Sequence, residues 1–218
     1  MSKELFYKEA DKFINWSKNS LRHWAKTSFD INGGFAEQLS LEGIPDFYTI
    51  RKVRTQARQA YVFAHASDLH WCNDCKKLSD HAWNYLLLSR MQINKSKVLT
   101  NGFAKTIKSS GVVLDTTPDT YTHAFILLAA AWRYKSFNDT NSIVIANKVI
   151  NYLNDNICST YGGWNTEFST NSYLKKQNPH MHLFEAFLAL YSSTGEGKYI
   201  DYATKIYRLF KIYFFNTI

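Results

Sequence analysis

Cysteine is scarce in this sequence, with 3 among 218 residues: Cys72, Cys75 and Cys158. Cys72 and Cys75 form a single C-x-x-C pair, a spacing that suits a redox pair or half of a zinc site. No second pair and no thioredoxin-like strand accompanies it, so the sequence favours free, reduced thiols. That pattern of cysteine use is typical of a cytoplasmic protein.

Long apolar runs are also absent. No stretch of 18 consecutive apolar residues occurs, which argues against a transmembrane helix. The N-terminal residues Met1 to Glu4 lack the basic-then-apolar pattern of a signal peptide. The sequence therefore predicts a cytoplasmic protein that does not interact with a membrane.

Dense basic clusters are missing despite a formal net charge of +8. The lysines and arginines are scattered, and the densest groups are pairs such as Lys76-Lys77 and Lys175-Lys176. No signature of a DNA- or RNA-binding module is present. We interpret the charge as solvated surface and expect no nucleic-acid partner.

The chain is instead rich in apolar (45%) and aromatic (16%) residues, enough for a packed core, and we expect one domain over residues 1–218. Apolar periodicity predicts an all-α fold with about seven helices. A polar connection is expected at 94–110 and a short strand at 111–115. The helices are predicted near 1–27, 47–69, 74–91, 140–158 and 198–215, with two more opening at Thr117-Pro118 and at Asn178-Pro179.

The helix that opens at Asn178-Pro179 carries the first candidate for chemistry. Asn178 is a strong N-cap residue, and Pro179 fits the first helical position because its missing N–H has no role there. His182 follows in the first turns of this helix, where an imidazole is a candidate acid or base near neutral pH. The alternative is a histidine that is only hydrogen-bonded in the core or at the surface.

Helix two places three guanidinium groups, those of Arg51, Arg54 and Arg58, on one face. The residues after Arg58 are apolar almost all round the helix, which is typical of a buried helix. We therefore expect Arg58 to point into a cavity and to need a polar partner there.

Two parts of the chain repeat. Gly33-Gly34-Phe35 and Gly162-Gly163-Trp164 are double-glycine turns expected to need positive φ, and each is followed by a glutamate, Glu37 or Glu167. Each turn precedes an apolar helix. The unit is an amphipathic helix, a loop and an all-apolar helix, with a period of about 60 residues.

Alternating amphipathic and fully buried helices are what a double ring of helices requires, since the inner ring is covered on both sides. In this interpretation Arg58, Tyr121 and His182 occupy matching places in the inner helices, 63 and 61 residues apart. A pocket would form where the N-terminal ends of these helices converge, and Asn178 would join the other three side chains there.

Four segments together resemble the N-acylglucosamine 2-epimerase family, in its order and spacing, across nearly the whole chain. The form Asn-Pro-His-Met-His is most similar to its mannose isomerase and aldose–ketose isomerase branch. The segments lie at Gly33–Leu39, Arg51–Ala64, Asp119–Phe125 and Gln177–Ala186.

The resemblance implies an (α/α)6 toroid and a cofactor-free, metal-free isomerase or 2-epimerase of free monosaccharides. By the same resemblance Arg58, Tyr121 and Asn178 bind the sugar and His182 acts in ring opening or proton transfer. The expected reaction moves a proton next to the sugar carbonyl through an enediol, a task that a histidine suits. Mannose and fructose are the first substrate pair, and N-acetylglucosamine and N-acetylmannosamine the second.

Six helical hairpins would need roughly 360 residues, so we expect this chain to hold an incomplete toroid, truncated at its C-terminal side relative to the family. A homo-oligomer or a complementing C-terminal chain would complete it. Two alternatives stay open: an inactive or sugar-binding remnant, and a toroid glycoside hydrolase, for which Asp119 and Glu185 are the candidate carboxylates.

Overall fold

The computed structural model describes residues 3–93, 98–117, 119–166 and 176–215. These ranges contain seven α-helices, as predicted, and five short strands. The helices are α1 Lys3–Thr27, α2 Val53–Asp68, α3 Cys75–Leu87, α4 Thr120–Phe137, α5 Thr140–Asn156, α6 Gln177–Thr194 and α7 Gly197–Tyr213. The strands are β1 Arg51–Lys52, β2 Arg90–Ile93, β3 Val98–Phe103, β4 Thr106–Ile107 and β5 Val113–Asp115.

The helices form two layers. Helices α2, α4 and α6 lie side by side as an inner layer, and α3, α5 and α7 each pack against the inner helix that precedes them. Helix α4 is central: its residues 122–131 are all buried. The inner layer is covered on both sides there, which is why α4 reads as apolar all round.

The strands form two small antiparallel sheets. One has the order β1-β4-β5 and the other pairs β2 with β3. The strand expected at 111–115 is confirmed, at Val113–Asp115. The polar connection predicted at 94–110 is wrong, because β3 and β4 lie within it; residues 94–97 lie outside the described ranges. Backbone pairing stabilises these polar stretches, and local sequence carries little signal for it.

Pairing in the sheet also moves the start of α2. Arg51 and Lys52 pair with Ile107 and Thr106, so the helix begins at Val53 rather than near residue 47. The prediction that Arg51 shares a helix face with Arg54 is therefore wrong. It is fully buried and donates hydrogen bonds to the carboxylate of Asp30 and to a backbone carbonyl.

Two predicted helix starts are corrected. Asp119 is the N-cap of α4 and accepts a hydrogen bond from the Thr122 N–H at 2.7 Å, whereas Thr117 was expected there and Pro118 lies outside the described residues. Helix α6 has Lys176 as its N-cap. Asn178 thus lies inside the first turn and is not the cap.

Cys72 and Cys75 are joined by a disulfide, so the prediction of two free thiols is wrong. The connection from α2 to α3 brings their Cα atoms to 5.5 Å, within the range that a disulfide spans. Cys158 is free and exposed. No helix in the part of the chain that the structure describes is long and apolar enough to cross a membrane.

Candidate active site

All four glycines of the two double-glycine turns have positive φ values. Gly33 and Gly34 have φ values of 129° and 69°, and Gly162 and Gly163 have 84° and 64°. Residues with a side chain are strained in this region, so the sequence correctly located both turns. An antiparallel bridge closes each turn, between Phe29 and Phe35 in the first and between Cys158 and Trp164 in the second.

One side chain from each inner helix accepts a hydrogen bond from the backbone N–H of an aromatic residue in the adjacent turn or hairpin. We call these three side chains the anchors. They fix each inner helix lengthwise against the loop beside it. The pairs are Gln56 with Phe35 at 2.9 Å, His123 with Phe103 at 3.1 Å and His180 with Trp164 at 3.2 Å.

The histidine anchors are neutral, as their hydrogen bonds require. Nδ1 lies 2.7 Å from the Asp119 carbonyl in His123 and 2.9 Å from the Lys176 carbonyl in His180, so Nδ1 must donate. Nε2 faces a backbone N–H in both and must accept. Complete burial lowers the pKa of His123, which also favours the neutral ring.

The anchors show which residues of the inner helices are equivalent. Two positions before the anchors lie Arg54, Tyr121 and Asn178; two positions after them lie Arg58, Phe125 and His182. The predicted equivalence of Arg58, Tyr121 and His182 is therefore wrong by one helical turn in α4. Spacing along the chain missed this because the connections between the inner helices differ in length.

Three of the four predicted site residues nevertheless meet. Arg58 donates a hydrogen bond from Nη2 to the Tyr121 hydroxyl at 2.8 Å, which is the polar partner expected for it. Its guanidinium carbon lies 4.0 Å from the centroid of the Phe125 ring, a cation–π distance. The His182 ring lies 4.5 Å from the ring of Phe125 and 5.3 Å from that of Tyr121.

Asn178, the fourth residue, is exposed and lies one turn before His182 on α6. Residues four apart share a helix face, so Asn178 borders the same cluster from the N-terminal side. Arg54 occupies the equivalent position on α2, with its guanidinium carbon 5.6 Å from the Tyr121 ring centroid. Sequence analysis placed Arg54 on the correct face but gave it no role.

His182 has a carboxylate partner on its own helix. Its Nδ1 lies 3.0 Å from Oε2 of Glu185, and the His182 side chain is 19% exposed whereas that of Glu185 is 51% exposed. A carboxylate accepts only, so Nδ1–H donates and Nε2 is left as the basic atom. Glu185, a candidate carboxylate for hydrolysis in the sequence, is paired in the structure with His182.

Further along α2, aromatic side chains make a second set of contacts with α4. Tyr61 lies one turn after Arg58, and its hydroxyl oxygen is 3.2 Å from Nδ1 of His65. The His65 ring stacks on the ring of Trp132, with the centroids 3.7 Å apart. Burial raises the pKa of Tyr61, and the negative charge of Glu185 raises it further. The sequence predictions did not include a role for Tyr61 or His65, although their spacing after Arg58 places all three on one helix face.

The carboxylates considered for hydrolysis have other roles. Asp119 is 4% exposed, and its two oxygens accept from the N–H and the hydroxyl of Thr122 at 2.7 and 2.8 Å. It caps α4 and faces no open space.

Within the described ranges, no group of three His, Cys, Asp or Glu side chains is arranged to hold a metal ion.

Comparison with known proteins shows the family to which the chain belongs. The family model for N-acylglucosamine 2-epimerase (GlcNAc 2-epimerase) matches residues 33–217. The chain belongs to the N-acylglucosamine 2-epimerase family. The resemblance inferred from four short segments is thereby confirmed.

The chain is also similar to two curated proteins and to solved structures. The chain is 27% identical to the mannose-6-phosphate isomerase of Rhizobium meliloti (strain 1021) over 186 residues, 83% of this chain and 46% of that protein. It is 27% identical to the D-mannose isomerase of Thermobifida fusca over 117 residues, 50% of this chain and 28% of that protein.

The structure of cellobiose 2-epimerase from Spirochaeta thermophila superposes with a TM-score of 0.75 at 18% identity, covering 92% of this chain and 54% of that one. The fold is thus part of an (α/α)6 toroid, as predicted. The chain spans less than half the length of the two curated relatives described above.

Proposed function

We propose that this chain carries the sugar-binding and proton-transfer groups of a cofactor-independent monosaccharide isomerase or 2-epimerase. The observation that supports it best is the His182–Glu185 pair, which lies against the rings of Tyr121 and Phe125 beside the Arg58 guanidinium. A base, a cationic hydrogen-bond donor and aromatic surface in one cluster fit an open-chain sugar.

In the proposed reaction Nε2 of His182 removes the proton from the carbon next to the sugar carbonyl. The electron pair of the broken C–H bond forms the C=C bond of an enediolate, and the former carbonyl oxygen carries the negative charge. For isomerisation this oxygen takes the proton of the neighbouring hydroxyl, whose oxygen becomes the new carbonyl as the imidazolium returns its proton to the former carbonyl carbon. For epimerisation, return of a proton to the opposite face of the carbon that lost it re-forms the original carbonyl. Glu185 stabilises the protonated ring through Nδ1.

Arg58 and Tyr121 would hold the oxygen that becomes negative. A guanidinium and a phenol already joined at 2.8 Å need little reorganisation to donate to that oxygen. Asn178, at the N-terminal end of α6, would bind a sugar hydroxyl. We propose these three as substrate-binding residues and His182 as the catalytic base.

Mannose is our first candidate substrate, with fructose as its product. The names of the two curated relatives, D-mannose isomerase and mannose-6-phosphate isomerase, support a mannose-type sugar but differ in the phosphate. Arg54 stands next to Arg58 on the Tyr121 ring, so a phosphorylated sugar must be tested beside the free one. N-acetylglucosamine is the second candidate.

Proton NMR in deuterium oxide tests the proposal. We expect mannose to lose its C2 proton signal and fructose to appear with the wild-type chain, and both changes to stop with His182→Asn. Glu185→Gln should keep part of the activity, and His70→Gln, an exposed residue of the α2–α3 connection, should keep all of it. Full activity of His182→Asn would remove His182 from the mechanism.

A non-catalytic sugar-binding protein is the second candidate, because the chain spans less than half of the two curated relatives. Titration calorimetry separates the two functions. Sugar binding that Arg58→Ala weakens, without deuterium exchange at C2, would support binding alone.

We also propose that a further helical unit, from a second copy or a complementing chain, packs on the edge formed by α6 and α7. An apolar cavity of about 280 Å³ lies there, lined by Met181, Tyr207, Phe210 and Phe214 among others. Light scattering with and without Phe210→Asp tests this, since a charge in the cavity should abolish any association. A monomer in both cases would contradict a homo-oligomer.

A further inference from the structure

We propose that Cys72 and Cys75 form a reversible disulfide that exchanges with small anionic thiols in the cleft between α1 and α3. This site is separate from the cluster around His182 and does not depend on the proposed function. It also accounts for the conflict between the sequence, which favours thiols, and the structure, which pairs the two sulfurs.

The two sulfur atoms differ in access. Cys75 is the first residue of α3 and is completely buried, whereas Cys72 is partly exposed and lines the cleft. Thiol–disulfide exchange requires a thiolate to reach a sulfur along the S–S axis, so an incoming thiol can attack only Cys72.

Cys75 is placed to be the leaving group. It lies at the N-terminal end of α3, and the side chain of the N-cap residue Asp74 makes no capping hydrogen bond. The N–H groups of a first helical turn have no intrahelical acceptors and carry partial positive charge, which stabilises a thiolate there. The α3 N-terminus therefore favours breaking the bond on the Cys75 side.

The cleft selects the charge of the thiol. Its volume is about 600 Å³, and its lining includes the cationic side chains of Arg22, Lys26 and Lys77 and one carboxylate, Asp74. A surplus of cations beside Cys72 raises the local concentration of anions. A thiol that carries carboxylates, such as glutathione, fits this cleft better than a neutral or cationic thiol.

The exchange balances in two steps. A thiolate attacks Sγ of Cys72 and forms a mixed disulfide, and the electron pair of the broken S–S bond leaves as the Cys75 thiolate. A second thiolate attacks the sulfur of the first thiol, and Cys72 leaves as a thiolate. Two small thiols are thereby oxidised to their disulfide, and Cys72 and Cys75 are reduced.

The first experiment uses the full chain with Cys158→Ser, which removes the exposed third thiol. The protein is equilibrated with glutathione buffers of increasing reducing strength, quenched with acid and alkylated. Mass spectrometry then counts the alkyl labels on each chain. We expect a single transition between no labels and two labels per chain. A pair that stays oxidised, or stays reduced, in every buffer overturns the proposal.

Peptide mapping of the partly reduced protein shows where the mixed disulfide forms. We expect glutathione on Cys72 and not on Cys75, both in this chain and in a Cys75→Ser variant that leaves Cys72 unpaired. Glutathione on Cys75 would contradict the assigned direction of attack, and it is read from the chain with both cysteines, so a folding defect in the variant does not hide it.

The charge preference is tested by reduction rates. At low salt we expect the rates with glutathione, 2-mercaptoethanol and cysteamine, corrected for thiol pKa, to fall in that order, with steps of roughly two- to fivefold. Lys26→Glu with Lys77→Glu should flatten the order, and Lys148→Glu on α5, which is exposed and outside the cleft, should not. Equal rates for the three thiols would exclude anion selection.

Discussion

Nη2 of Arg58 donates a hydrogen bond to the hydroxyl of Tyr121 at 2.8 Å and so joins the inner helices α2 and α4. The guanidinium carbon of Arg58 also lies 4.0 Å from the centroid of the Phe125 ring, a cation–π distance. One side chain thus links two helices beside the cluster that contains His182.

Tyr121→Phe removes the hydroxyl that accepts from Arg58 and keeps the ring that packs against His182. We expect kcat/KM to fall about tenfold, since one hydrogen bond to a charged group contributes roughly 1.5–3 kcal/mol and water replaces part of it. Steady-state kinetics with the sugar that the NMR experiment identifies as the substrate measures the change in kcat/KM. Tyr48→Phe, at an exposed tyrosine, is the control; an unchanged kcat/KM for Tyr121→Phe would mean that the bond only supports the fold.

Comparison of His180→Gln with His180→Ala tests the anchor hydrogen bond separately from the imidazole ring. The equivalent anchor on α2 is a glutamine, Gln56, so His180→Gln can still accept from the Trp164 N–H. His180→Ala leaves that buried N–H without its acceptor, which should cost about 1–3 kcal/mol of unfolding free energy. Urea denaturation of both variants checks this, and equal losses would contradict the anchoring role.

Stability should fall as the pH drops below about 6.5. Burial lowers the pKa of His123 from its ordinary value of 6.5, so the unfolded chain binds a proton that the folded chain does not. Protonation then favours unfolding, with a slope of up to about 1.4 kcal/mol per pH unit for this histidine. Burial lowers the pKa of His65 in the same direction.

The Asp30 carboxylate does not contribute to the loss of stability expected between pH 7.5 and 5.5. Arg51 holds the pKa of Asp30 below its usual 3.8 despite burial, so the loss of that stabilisation begins only at a lower pH. Urea midpoints at pH 7.5 and 5.5 for the wild type and for His123→Gln test the assignment. We expect a smaller drop in the variant; an equal drop would assign the pH dependence to another group.

Asp30→Asn should destabilise the chain strongly. The fully buried Arg51 guanidinium would lose its counter-charge, and removing one partner of a buried ion pair typically costs about 3–5 kcal/mol. Asp155→Asn, at an exposed position of α5, is the matched control and should change the unfolding free energy little. Similar urea midpoints for the two variants would contradict this prediction.

Gly163→Ala should destabilise more than Gly195→Ala, although both glycines have positive φ, 64° and 75°. A Cβ at Gly163 would lie 2.6 Å from Nε2 of His180 and 2.8 Å from Leu209, whereas none of the described atoms lies within 4 Å at Gly195. We expect about 1 kcal/mol from φ alone at Gly195 and more at Gly163. Thermal unfolding compares the two variants. Equal Tm shifts would show that the turn around Gly163 moves to accommodate the added Cβ.

Local patterns predicted most of the fold. Apolar periodicity located all seven helices, because the face that a helix buries is written in its own sequence. The double-glycine turns were found for a similar reason, since positive φ is costly for residues with a side chain. Helix starts were less predictable: β1 displaced the start of α2, and Lys176 rather than Asn178 caps α6.

The candidate site divides in the same way. The resemblance named Arg58, Tyr121 and His182, and the fold brings them together. The Glu185 partner of His182 and the contact of Tyr61 with His65 lie within single helices, at i, i+3 and i, i+4 spacing, so the sequence allows both pairs. Only the structure shows that the side chains of each pair point towards one another.

By itself the sequence determined the all-α class, the two-layer repeat and the family, since periodicity, turn glycines and segment order are properties of the chain. Only the tertiary structure decided which residues are equivalent between repeats, where the Arg51 charge is neutralised and that Cys72 meets Cys75. These depend on long-range contacts, namely the anchors, the β1–β4 pairing and the α2–α3 connection, and local sequence does not encode the distances between them.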